Sequence, residues 1–349
     1  TCHQKYIALY RQPIIQLIGP QNIKKHSQEL ETIAKTTLSE MAKEGEQINS
    51  LKFCNVYSTY VISRLLLGHP GPFEAYKAIC NANDFVNKYG MKRVWHQPIS
   101  EEEKKTYQQS LQTLRDAIEI ALTSKEKTCF GSLVDVLKND KEMSPIQIKS
   151  TLLLMYFAGT ETTASLLNYL IWQLGRHPDY QEEIFQEMQR KDLSLFELAH
   201  NLETVEKLFC ECIRLFTPGY VIARQPTVDL KCTIRNKDGK ILTEETIKKK
   251  EGVALGVTFA GRDANCFANP DQFQPNRFDA LPKTLSWLPF GDGRHACPGQ
   301  WLAKAEILLL VTELVKNYHI ISLPEKEPQQ KGYMTLKQEG EIWFSLSRR

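Results

Sequence analysis

Phe290-Gly291-Asp292-Gly293-Arg294-His295-Ala296-Cys297-Pro298-Gly299 is the stretch on which the reading of this chain turns. Downstream, Trp301 to Val315 is apolar at helical spacing, so a glycine-rich loop leads into a helix. That spacing predicts Cys297 near the helix N-cap and Pro298 at the first helical position, where a missing N–H costs least. A thiol there faces the positive end of the helix dipole and the free N–H groups of Gly299 and Gln300. Both effects lower a thiol pKa and favour the thiolate, the form that ligates a metal or attacks an electrophile. Gly293 and Gly299 lack a Cβ, which lets a large flat ligand approach the backbone. Taken alone, a cysteine at a helix start is more often an inert core residue.

The spacing around it changes the odds. Phe-x-x-Gly-x-(Arg or His)-x-Cys-x-Gly resembles the haem-ligand signature of the cytochrome P-450 superfamily at each fixed position, with Phe290, Gly293, His295, Cys297 and Gly299 in place. Gly299-x-x-Leu302-Ala303-x-x-Glu306 is similar to the start of that family's ligand-side helix.

A second stretch has the same character. Ser144-Pro145 predicts the start of the longest helix, with Ser144 as N-cap, running to about Gly175. At its centre lies Ala158-Gly159-Thr160-Glu161-Thr162-Thr163, poor helix-forming sequence whose threonine hydroxyls can bond carbonyls four residues back and bend the helix. Leu154, Ala158 and Thr162 share one face. A kinked core helix would look similar, but it gives no reason for Glu161 in an apolar run, since a buried carboxylate needs a partner or a proton-handling task. The stretch resembles the family's oxygen-activation motif. The resemblance implies that Thr162 bonds iron-bound dioxygen or its water and that Glu161 helps relay protons, with Ala158 against the haem.

Asn201 to Phe216 reads as a helix carrying Glu211-x-x-Arg214, followed by Pro218 and, further on, Phe273-Gln-Pro-Asn-Arg277-Phe278. A Glu-x-x-Arg pair alone is a common surface ion pair. The resemblance makes Glu211, Arg214 and Arg277 a buried ion triad that fixes the ligand loop. Val221–Arg224, 228–234 and 253–257 read as short strands, and Tyr333 to Leu346 as a closing hairpin. By resemblance, Arg224 pairs a haem propionate, and Leu154, Tyr220, Val221, Ile222 and Met334 line the substrate pocket. Residues 1–50 read as two amphipathic helices broken near Pro13 and Gly19-Pro20. The family's Trp-x-x-x-Arg pattern is absent there, leaving Lys5 and Arg11 as candidate propionate contacts. Leu51 to Leu67 reads as another helix, and Phe73–Tyr89 and Glu101–Leu122 as a helical pair that, in the resembled fold, roofs the substrate chamber.

Composition bounds the alternatives. With 349 residues, 42% hydrophobic and 24% charged, the chain has enough apolar content for a sizeable core. A net charge of +3 and no basic stripe with interleaved aromatics argue against nucleic acid. Nine scattered cysteines with no Cys-x-x-Cys suggest a reducing compartment and argue against a disulfide framework or structural zinc. The longest apolar helix carries Glu161 at mid-span, which favours a buried helix over a transmembrane one. No repeat or linker divides the chain, so residues 1–349 are read as one haem-thiolate domain.

The expected fold is therefore mainly α with a small β region, cytochrome P-450-like. The resemblance implies a further N-terminal segment of about a hundred residues. It also implies haem b, dioxygen, and electrons from NAD(P)H through a reductase or ferredoxin. That partner would dock on the Cys297 face near Lys304 and Lys207, and the substrate would be a small apolar molecule. Two alternatives remain open at this point: a reductase-independent peroxygenase, isomerase or dehydratase on the same scaffold, and a truncated, non-catalytic haem-binding protein. Pro298 cannot donate an N–H to the sulfur, so an electron-rich thiolate and a low reduction potential are expected.

Overall fold

A computed structural model describes residues 11–68, 73–94, 98–123, 134, 137, 143–236, 239–279, 287–323 and 326–349. The chain opens with α1 (Gln12–Ile18), α2 (Pro20–Lys25) and α3 (Ser27–Met41), then β1 (Ile48–Asn49), α4 (Ser50–Leu67), α5 (Phe73–Val94), α6 (Glu101–Thr123) and α7 (Pro145–Arg176). Next come α8 (Pro178–Gln189), α9 (Leu195–Asn201) and α10 (Glu203–Leu215), then β2 (Val221–Arg224), β3 (Leu230–Arg235), β4 (Ile241–Ile247) and β5 (Val253–Gly256). The last third holds α11 (Val257–Gly261), α12 (Gln300–Asn317), β6 (Tyr318–Leu323), β7 (Gln330–Gly332), β8 (Leu336–Gln338) and β9 (Trp343–Arg348). The expected mainly α architecture with a small β region is what the chain adopts.

Residues 11–41 form three helices where two were expected over residues 1–50: α1 begins beside Pro13, which sits in its first turn, and the extended Gly19 separates α1 from α2. α4 stops where Gly68 takes a left-handed conformation, φ 84°, and donates its N–H to Arg64 O at 2.9 Å.

α7 spans 32 residues, about 48 Å. Its start is a capping box: Ser144 Oγ accepts from Gln147 N, and Gln147 Oε1 accepts from Ser144 N at 2.8 Å. The helix runs unbroken through its centre. Thr160 and Thr162 do donate to the carbonyls of Tyr156 and Ala158, at 2.6 and 2.8 Å, yet the helix runs through without interruption. Each hydroxyl shares a carbonyl with the helical ladder and does not displace an N–H from it. Gly159 is needed for packing: a Cβ there would stand 2.6 Å from Ile62 Cδ1, so the missing side chain lets α4 close on α7.

α7 and α12 are the central helices. Leu166 to Leu174 and Leu302 to Val315 are buried almost all round, in one apolar cluster that runs from Ile14 to Leu346. The strands make small antiparallel sheets, β1-β9-β6, β2-β5, β3-β4 and β7-β8. The C-terminal segment is therefore two features where one hairpin was expected. Gln330 to Gln338 turns back at Met334–Thr335, while β9 crosses to pair with β6 and β1.

Candidate functional site

The loop before α12 is shaped by two glycines with positive φ, Gly291 at 69° and Gly293 at 67°. Cys297 N donates to Phe290 O at 2.7 Å and Ala296 N to Gly293 O at 3.1 Å, which closes the loop on itself. The first helical residue is Gln300 with Gly299 as N-cap, so Pro298 lies in the preceding turn and Cys297 two residues before the cap. The sulfur still reaches the helix start and accepts the N–H groups of Gly299 and Gln300. Burial nevertheless wins over the N–H groups of Gly299 and Gln300 and the Arg11 guanidinium, which oppose it. The protein alone thus holds the Cys297 thiol above its ordinary value, against the sequence expectation. Coordination to a metal ion would deprotonate it outright.

The Cys297 sulfur lines a cavity of about 460 Å³. One wall is the Cys297 loop with Gly299, Leu302 and Ala303. Another is α7, through Met155, Ala158, Gly159 and Thr162, and Val221, Ile222 and Arg224 of β2 with Phe290 and Gly291 contribute further lining. Phe290 stacks on Phe209 of α10, ring centroids 6.4 Å apart. His295 and Arg224 line the cavity while remaining exposed, and Arg224 pairs with no carboxylate among the described residues. Arg11 donates to Ala296 O at 2.5 Å, at the base of the loop. The second candidate propionate contact, Lys5, lies outside the described residues. These features suit a haem: mostly apolar walls, a sulfur on one, a hydroxyl on another, and an arginine and a histidine at exposed lining positions for two carboxylates.

Four expected positions do not line this cavity. Gly293 faces away from it, and its glycine is required by φ instead. Leu154 is 60% exposed, one turn beyond Ala158 on the same face, and Met155 takes the lining role. Tyr220 points to a separate surface groove and donates to Tyr333 O at 2.7 Å. Met334 is 61% exposed at the hairpin tip.

Glu161 is also off the cavity wall. Successive helical residues are about 100° apart, so with Thr162 turned to the cavity its neighbour falls on the flank. There Oε1 accepts from Asn87 Nδ2 at 2.7 Å and Thr335 Oγ1 at 2.8 Å, and pairs with Lys337 Nζ at 2.9 Å. Burial alone would lower the Lys337 ammonium; Glu161 and Asp84 reverse that and leave it above the ordinary lysine value.

Glu211, Arg214 and Arg277 meet in one cluster. Arg214 grips Glu211 through Nε and Nη2 at 2.7 and 2.8 Å, and Arg277 Nε donates to Glu211 Oε1 at 3.1 Å. Arg214 spends its other N–H groups on the carbonyls of Gly261, Pro270 and Gln272. Lys304 and Lys207 are each engaged on the surface, with Glu206 and Asp279, both at 2.6 Å.

Sequence reasoning gave Glu306 no task. It lines the cavity, fully buried, and burial holds its carboxyl well above the usual carboxylate range, although a hydrogen bond with Thr163 works the other way. Its Oε2 has no partner among the described residues. No local pattern announces this, because Thr163 and Glu306 are far apart in sequence. Among the described residues no helix is long and apolar enough to cross a membrane, and no group of three or more His, Cys, Asp or Glu could hold a metal ion.

A cysteine and a threonine thus line different walls of one mostly apolar cavity in a mainly helical chain. A sequence description of cytochrome P-450 matches residues 20–342, and the chain belongs to that family. Among curated proteins it is similar to cytochrome P-450 4F5 of Rattus norvegicus, 26% identical over 253 residues, 68% of this chain and 46% of that protein. It is 28% identical over 241 residues to leukotriene-B4 omega-hydroxylase 3 of Mus musculus, 64% of this chain and 44% of the relative. The matched stretch thus spans less than half the length of these relatives. The haem domain of a cytochrome P-450DA mutant shares the fold, with a TM-score of 0.81 at 17% identity, covering 99% of this chain and 78% of that one.

Proposed function

We propose that the protein is a haem-thiolate monooxygenase that inserts one oxygen atom from dioxygen into an apolar organic substrate. The observation that carries this is the Cys297 sulfur and the Thr162 hydroxyl lining one cavity. Cys297 Sγ would ligate the iron of haem b, with Arg224, His295 and Arg11 set to take its carboxylates. The haem, when bound, supplies dioxygen binding and activation, and a thiolate ligand favours O–O cleavage. The chain's own residues do the rest. Ile62, Met155, Leu166 and Ile222 give the substrate an apolar surface and keep water away from it. Thr162 donates its own proton to Ala158 O, which leaves its oxygen lone pairs facing the cavity to hold water or a proton donor. Glu211, Arg214 and Arg277 tie α10 to the segment around Gln274 and Arg277.

Electrons would come from NAD(P)H through a reductase or ferredoxin on the Cys297 face. An acidic partner there competes with Glu206 and Asp279 for Lys304 and Lys207, and exposed pairs of this kind are worth only about 0–1 kcal/mol. The test is a ferrous–carbonyl absorption spectrum of wild type and Cys297→Ser, followed by turnover with a reductase. The red-shifted thiolate band should appear only in wild type. Its presence in the serine variant, or turnover with peroxide but none with dioxygen and a reductase, overturns the reading.

A further inference from the structure

Oxygen-bearing side chains on three helices converge on a second, polar chamber. Glu161, Ser165 and Asn168 stand at i, i+4 and i+7 on one flank of α7, Asn83 and Asp84 face them from α5, and Asn55 from α4. With Lys337 and Gln338 of β8 they enclose about 110 Å³. Asn168 is 3% exposed and donates from Nδ2 to Gln338 Oε1 at 2.7 Å. That leaves Asn168 Oδ1 and Gln338 Nε2 buried with no partner among the described residues. Exchanging oxygen and nitrogen in both amides only passes the unmet acceptor to Gln338. Buried polar atoms are almost always paired, so an unmet oxygen here points to a bound group. Glu161 adds a second: Asn87, Thr335 and Lys337 all bond its Oε1, and Oε2 takes no bond from a described residue.

Charge and donor type narrow what that group is. The lining carries two carboxylates, Glu161 and Asp84, against one ammonium, Lys337, which leaves one net negative charge for a counter-ion. A single positive charge balances it, and a divalent ion would overshoot. The one sulfur in the lining, Cys80, has its thiol pushed up to about 12 by burial and then by the Asp84 charge, so it supplies no thiolate for a transition metal. Neutral amide and hydroxyl oxygens remain, the donors that replace the hydration shell of a potassium-sized ion. Such an ion needs about the 10–15 Å³ of a water, so the chamber holds it with several waters. It also has an entry path, because Asp84, Lys337, Gln338 and Gly340 line both the chamber and a surface groove of about 330 Å³.

We propose that this chamber binds one monovalent alkali cation through Asn168 Oδ1, Glu161 Oε2 and the Ser165 hydroxyl, with the amides of Asn55 and Asn83 and water completing the shell. Lys337 stays on Glu161 Oε1, so ion and ammonium share the carboxylate from its two oxygens. Gln338 Nε2, the unmet donor, bonds a water of the shell. The bound ion fastens α4 and α5 to the centre of α7. The site does not depend on the monooxygenase reading.

Two measurements on the haem-loaded protein test this. Crystals grown with rubidium as the alkali ion should show an anomalous peak in the chamber, within bonding distance of Asn168 Oδ1 and the Glu161 carboxylate. In urea unfolding at fixed ionic strength, with tetramethylammonium as the balancing cation, the unfolding constant should fall about tenfold per tenfold rise in potassium once the site is mostly filled. A parallel sodium titration tells which alkali ion the shell prefers. Asn168→Leu should abolish the dependence, whereas Asn168→Asp, which adds a charged oxygen, should keep it and move it to lower concentration. If Asn168→Leu does not fold, Ser165→Val removes one ligand and should move the dependence to at least tenfold higher potassium. Waters alone in the chamber, or equal stability in potassium, sodium and tetramethylammonium, overturns the proposal. Rubidium binding at crystal concentration only, with no effect in solution, overturns it too. A missing thiolate band or missing turnover defeats the monooxygenase reading and leaves these outcomes as they are.

Discussion

Glu211→Gln is the most informative stability perturbation in the chain, because the structure fixes its consequence. Glu211 and Arg214 are both 0% exposed at the side chain, and Arg277 is 11% exposed. The carboxylate accepts four hydrogen bonds: two from Arg214, one from Arg277 Nε, and one from Gln274 N at 2.7 Å. An amide keeps the shape and one acceptor but turns an NH2 towards Arg214 Nε, so donor meets donor. It also leaves two guanidinium charges sharing a dry site with no counter-charge. Breaking a buried pair by removing one partner costs about 3–5 kcal/mol. Set against a typical total of about 5–15 kcal/mol, that is a third of the stability or more. Urea unfolding followed by far-UV circular dichroism, with haem retention in parallel, reads the loss. The control is Glu206→Gln, which breaks an exposed pair with Lys304 and should cost less than about 1 kcal/mol. Arg277→Gln should fall between them, since Glu211 keeps its bidentate partner. A Glu211→Gln protein within about 1 kcal/mol of wild type, or no worse than Glu206→Gln, would refute a structural role for the cluster.

Three further outcomes follow from the structure. Burial favours the neutral form of Glu306 in the fold, whereas in the unfolded chain it ionises near the ordinary value; wild type should therefore lose stability as pH rises above about 4.5, by up to about 1.4 kcal/mol per pH unit, until the raised folded value is reached. Glu306→Gln should remove that slope and gain on wild type between pH 5 and 8; parallel curves for the two proteins would contradict it. Gly175→Ala places a Cβ 2.5 Å from Ser322 N and 2.1 Å from Ser322 Oγ, where α7 meets β6. Overpacking of this kind should cost about 1–3 kcal/mol in urea unfolding, and a neutral variant would show that the two elements are not so closely apposed. Pro298→Leu adds an N–H next to a sulfur that already accepts from Gly299 and Gln300, so the iron reduction potential should rise; a level or lower potential counts against thiolate tuning by Pro298.

What could be read from sequence was whatever is encoded locally. The Ser144 N-cap and the strand at Val221–Arg224 are each specified within about ten residues and form where expected, whereas the helix after the Cys297 loop starts at Gln300, two residues later than its sequence predicts. Pairings between distant residues had no such signal: Glu161 meets Asn87 and Thr335, 74 and 174 positions away, in contacts that no periodicity encodes. Where local chemistry misled, a competing term was stronger. The N–H groups at the start of α12 do reach the Cys297 sulfur, but burial outweighs them. The threonines of α7 do bond back to its carbonyls, and the helix still runs without interruption from Pro145 to Arg176.

One geometric fact links the two halves of the site. Glu161 and Thr162 are neighbours in sequence and about 100° apart on α7, so one helix presents a carboxylate to a polar chamber and a hydroxyl to an apolar cavity. The helix itself is the partition between them. Glu161 faces the polar chamber and Thr162 the apolar cavity, so whatever enters one is kept from the other by the body of α7, and the two side chains are the points at which a single helix faces both.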